Sequence, residues 1–114
     1  MKTRSIVGVS VATLLLACQV ARAASADDNW KQHCASCHGS DGAGHTKMGR
    51  KVEARDLTDP AYQKTFTDGV LLDHLKNGEK APDGAVKMKP YGDRLTDEEL
   101  RGLVTFVRAL AKAG

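Results

Sequence analysis

Cys34-Ala35-Ser36-Cys37-His38 decides how this chain is read. A C-x-x-C-H run is the signature of c-type haem attachment. The spacing has a physical basis. Two thiols separated by two residues reach the two vinyl groups along one edge of a porphyrin and form thioethers. The adjacent histidine is then carried under the ring, where an imidazole nitrogen binds the iron. One short segment thus supplies Cys34 and Cys37 as covalent anchors and His38 as the proximal axial ligand. The implied cofactor is one haem c, which carries the chemistry while the protein binds and tunes it.

Two other uses of the cysteine pair are weaker. A thioredoxin-like dithiol needs a βαβ setting, and no strand pattern is visible. A closed zinc site needs four ligands. Beyond the motif only His33, His45 and His74 remain, without regular spacing.

Upstream, the chain carries export signals. Met1 to Arg4 is positively charged, residues 6–17 are mostly apolar, and Ala21-Arg22-Ala23 forms an A-x-A cleavage site. The apolar run is short for a membrane span. The expected organisation is a signal peptide over 1–23 and one haem domain over 24–114, released into the periplasm. Leu15-Leu16-Ala17-Cys18 offers a competing route, a lipoprotein anchored through Cys18. Membrane association is expected only in that form.

Processing alters the charge. The whole chain has 17 basic and 14 acidic residues, a net charge of +3. Removing Lys2, Arg4 and Arg22 leaves 14 of each, so the mature chain is neutral. It lacks the basic stripe of a nucleic-acid binder. The mature region holds five aromatic residues, little with which to build a core. Small scaffolds need a staple, and a covalently held haem supplies one.

Local signals predict short helices. One is expected over Asp27–Gln32, capped by Asp27 or Asp28 and running into the Cys34 turn. Residues 39–49 are glycine-rich and read as loop. Asp59-Pro60 opens a short helix. Thr67 caps another through Asn77, ended by Gly78, with Val70, Leu71 and Leu75 as its apolar face. Residues 80–91, with Pro82, Gly84 and Pro90, read as irregular. Thr96 and Glu99 form a capping box that opens a helix reaching about Lys112. Its stripe is Leu100, Leu103, Val104, Val107, Leu110 and Ala111. Gly102 within it marks either a close helix crossing or a tolerated exposed position.

A sixth iron ligand must cross the ring face opposite His38. Met48 lies ten residues beyond His38, whereas Met88 lies fifty residues beyond it, in a loop stiffened by Pro90. That separation lets the chain wrap the haem edge, so Met88 is the expected distal ligand and Met48 a gap-filler. His33, His45 and His74 are the remaining candidates and read as surface or half-buried residues.

These features together resemble a class I c-type cytochrome, similar to the small bacterial monohaem cytochromes c6 and c-553. The resemblance rests on Trp30 before the cysteine pair, on Cys34 to Gly39, on Met88-Lys89-Pro90-Tyr91 and on the helix over 95–110. It implies an all-α fold of three to five short helices wrapped around one haem, with His38/Met88 ligation and electron transfer. It also implies that Trp30 and Phe106 meet where the first helix crosses the last. One departure stands out. Many relatives place a proline soon after the attachment site, where its carbonyl receives the imidazole proton. Here Lys47-Met48-Gly49 occupies that region, and no proline precedes Pro60.

The expected role is a non-enzymatic, monomeric electron carrier between redox proteins of undetermined identity. Alternatives are a haem sensor or weak peroxidase with a displaceable Met88, and a subunit of a larger oxidoreductase. By resemblance, partners dock near Ala35-Ser36 and the Met88 loop, where Lys80, Lys87 and Lys89 gather.

Overall fold

The computed structural model describes Gly8 and residues 22–112. Cys18 and the apolar stretch 6–17, Gly8 excepted, lie outside the described residues. Helix α1 (Ala26–Asn29) is capped by Ser25, whose hydroxyl accepts the Asp28 N–H. Asp27 and Asp28, expected as caps, instead occupy the first turn, where their charge complements the helix dipole. The chain continues through a π-helical turn, Trp30–Cys34, closed by the Ala35 N–H on the Trp30 carbonyl. Helix α2 (Ala35–His38) follows directly. The expected helix therefore extends through the whole attachment motif. Its wide turn rotates the motif relative to Trp30, a distortion that recurs at functional sites.

Helix α3 (Lys47–Val52) corrects the loop expected over 39–49. Thr46 caps it by accepting the Gly49 N–H at 2.8 Å. Helices α4 (Pro60–Gln63) and α5 (Asp68–Asn77) begin at Asp59 and Thr67 as expected. The region read as irregular contains an antiparallel hairpin, β1 (Glu79–Lys80) and β2 (Val86–Met88), with Glu79 facing Met88. Strands of two and three residues are too short for an alternating apolar pattern to register, so the hairpin leaves no readable strand signal. Helix α6 (Asp97–Ala109) has both halves of its capping box and ends earlier than Lys112.

The core forms where α6 buries its stripe. Leu100, Leu103, Val104 and Val107 pack with Trp30, Leu71, Leu75, Tyr91 and Leu95. Helix α1 crosses α6, and the Trp30 and Phe106 rings meet there with centroids 5.0 Å apart. At Gly102 an added Cβ would touch the Ala26 methyl at 3.7 Å, so the crossing is near but has room for alanine. Arg108 fastens α6 to the α4–α5 connection. It pairs with Asp68, donates to the Gln63 and Phe66 carbonyls, and lies over the Phe66 ring. The fold is helix-dominated, as expected, and its helices surround a cavity.

Candidate haem site

The attachment turn is held by its neighbours on every side. The Trp30 indole donates to the Gly39 carbonyl at 3.1 Å, and its ring lies 5.8 Å from that of His38. The Gly44 N–H donates to the His38 carbonyl at 2.7 Å. The Thr46 hydroxyl sits 2.8 Å from the Ser36 carbonyl and 2.9 Å from that of Cys37. Gly49 is forced by this closeness. A Cβ there would stand 2.2 Å from the Cys37 carbonyl and 2.4 Å from that of Gly44. Gly49 thus lets α3 approach the motif, and the glycine content of the segment disguised a helix.

Cys34, Cys37, His38 and Met88 all line one cavity of about 1100 Å³. Its apolar wall includes Leu57, Phe66, Leu71, Leu75 and Val107. Both cysteines are free. Burial pushes the Cys34 thiol up to about 11, and Cys37 adds to the shift. Among the described residues the motif sits in a helical segment with no βαβ unit around it, the setting a thioredoxin-like dithiol needs. Among the described residues, no group of three or more His, Cys, Asp or Glu is placed to hold a metal ion.

Burial lowers the pKa of His38, favouring the neutral imidazole with a free lone pair. The Arg55 backbone acts in the opposite sense, as a carbonyl acceptor does. No hydrogen bond of full geometry closes on Nδ1, however, which is buried and unpartnered. The Arg55 backbone is thus the candidate for the acceptor role that the missing proline carbonyl would fill. The sequence held no signal for it, because any residue supplies a backbone oxygen. Two thiols, a neutral buried imidazole and a thioether around an apolar hollow fit a planar, hydrophobic, covalently held macrocycle.

The Met88 wall is built differently. Gly78 ends α5 with φ +71°, and an added Cβ there would stand 2.4 Å from the Met88 carbonyl. The Tyr91 N–H donates to the Leu75 carbonyl, and its hydroxyl donates to the His33 carbonyl at 2.9 Å. Lys87 pairs with Glu53 at 2.6 Å, joining β2 to the end of α3. Met88 packs against the buried core, whereas Met48, also on the cavity, is 46% exposed. His33 and His74 line the cavity too, and His45 is absent from its lining. His33 is occupied against the Tyr91 ring, with centroids 5.4 Å apart.

Among solved structures, this chain is similar to the KustC0563 c-type cytochrome. The two share 31% identity over 78% of this chain and 100% of that chain, with a TM-score of 0.67. A tyrosine-to-phenylalanine mutant of that cytochrome gives 31% identity over 76% and 99%, with a TM-score of 0.65. No curated protein matches the sequence. A family model described as "Cytochrome C oxidase, cbb3-type, subunit III" matches residues 21–107. That span takes in the attachment turn, the cavity walls and most of α6, and the chain belongs to this family as a small monohaem c-type cytochrome.

Proposed function

We propose that this chain is an exported electron carrier whose haem iron is held by His38 and Met88. One observation carries the reading: two segments fifty residues apart bring Cys34, Cys37, His38 and Met88 to a single cavity. Haem supplies reversible one-electron exchange between Fe(II) and Fe(III). His38 and Met88 would both hold the iron, and with the two in place no site would remain open to oxygen or peroxide. Thioether ligation beside an apolar wall favours the reduced state, so the potential is positive. The carrier works in the periplasm after cleavage behind Ala23, as a monomer exchanging electrons with donor and acceptor proteins. Among the described residues, no helix is long and apolar enough to cross a membrane.

The test is a redox titration of the purified holoprotein with carbon monoxide present and absent. The proposal expects one-electron behaviour, a positive potential and no ligand binding. Carbon monoxide binding to the reduced protein would replace the carrier with a sensor or peroxidase. The family's description gives a second reading some footing, that of a cytochrome subunit in a larger oxidoreductase. Stoichiometric co-purification with an oxidase would establish it.

A further inference from the structure

The backbone nitrogen of Ala24 lies 3.0 Å from Oε1 of Glu99, a contact between positions 75 residues apart. Ala24 is also the first residue after the Ala21-Arg22-Ala23 cleavage signal. In the uncut chain this nitrogen is a neutral amide. Hydrolysis of the Ala23–Ala24 bond changes that. Water gives its hydroxyl to the Ala23 carbonyl and a proton to the nitrogen, which then takes a second proton from solvent. We infer that signal cleavage creates an ion pair between the new Ala24 ammonium and the Glu99 carboxylate, fastening the mature N-terminus to the start of α6. This inference rests on the export reading above.

The acceptor is prepared. Oε2 of Glu99 takes the Thr96 N–H at 2.8 Å, so the capping box fixes the carboxylate and leaves Oε1 for Ala24. Glu99 is held below its ordinary pKa by the Thr96 N–H first, with Ala24 and Asn29 acting in the same direction against burial. The charged groups of α1 and of the first turn of α6 are paired elsewhere or acidic, and Arg101 acts on Asp97. Asp28 receives the Ser25 hydroxyl, Asp27 pairs with Lys31, Asp97 pairs with Lys76, and Glu98 lies in the same first turn of α6. An amine gaining this partner has a raised pKa. Its contribution is complete below the ordinary α-amino value of about 8 and is lost as pH rises through the folded value. The Glu99 contribution is complete above 4.5 and is lost as pH falls through its lowered value. The pair therefore acts across the window between those limits and weakens with salt.

The experiment uses haem-loaded protein beginning at Ala24, with a free or an acetylated amine, each with Glu99 or Glu99→Gln. Glutamine keeps the capping box. The amine pKa is read by NMR and stability by the thermal midpoint. The free amine should titrate above about 8 with Glu99 and return to the ordinary range with Glu99→Gln. Acetylation should lower the midpoint by about 1–5 °C with Glu99, and not with Glu99→Gln. An amine pKa unaffected by Glu99→Gln would overturn the ion pair. Mass analysis of the exported protein tests the cleavage separately. A mature start at Ala24 supports the inference, and a lipidated Cys18 start would overturn it as a maturation event.

Discussion

The two walls of the cavity differ in how they are fastened. Around Cys34, Cys37 and His38, Trp30, Gly44 and Thr46 hydrogen-bond to the motif or the residue beside it, from within a span of seventeen positions. Around Met88, support comes from Leu75 and His33 through Tyr91, and from Glu53 through Lys87. The first wall is local and closely packed. The second depends on distant segments and on an exposed ion pair. Under the proposed ligation, the first wall would hold the cofactor through Cys34, Cys37 and His38, while the second would bring only the distal donor, Met88.

The sharpest break is at the anchors. Cys37→Ala should remove one thioether and most of the holoprotein yield, because so small a chain lacks a core without its staple. Haem staining after denaturation measures it. Haem still resistant to acid–acetone extraction at wild-type yield would contradict the assignment.

The glycines come next. Gly49→Ala must displace α3 from the Cys37 carbonyl, with a cost at or above about 3 kcal/mol, the upper part of the overpacking range. Gly78→Ala adds backbone strain at positive φ to its clash with the Met88 carbonyl. Denaturant unfolding should show both losses. Only Gly78→Ala should also weaken the iron–thioether absorption of the ferric protein, since only that wall carries Met88.

Much of this was legible from sequence because it obeys local rules. The capping box at Thr96, the Asp59-Pro60 start and the Thr67 to Gly78 helix each follow from side chains within a few residues. The attachment motif and the Trp30–Phe106 contact were legible as a family pattern. Helix α3 was not, because Gly49 serves a contact with Cys37 that composition cannot reveal. The hairpin and the Arg55 carbonyl were hidden because backbone groups leave no trace in residue identity. The Glu53–Lys87 bridge joins positions too far apart for any spacing rule.

That bridge gives a smaller effect. Glu53 is 79% exposed on its side chain, and Lys87 only 32%. Glu53→Gln should lower the thermal midpoint by about 1–4 °C at low salt and by less at high salt. A salt-independent change would assign Glu53 a packing role instead.

The central claim is that Met88, brought to the cavity by a different part of the chain, ligates the iron. The direct measurement is the ferric absorption spectrum of Met88→Ala beside Met48→Ala, each with and without cyanide. The account predicts that Met88→Ala loses the thioether–iron band and binds cyanide. Met48→Ala should keep the band and cost less than the roughly 2–5 kcal/mol of a fully buried methionine, since it is 46% exposed. A band that survives Met88→Ala and disappears in Met48→Ala would contradict it.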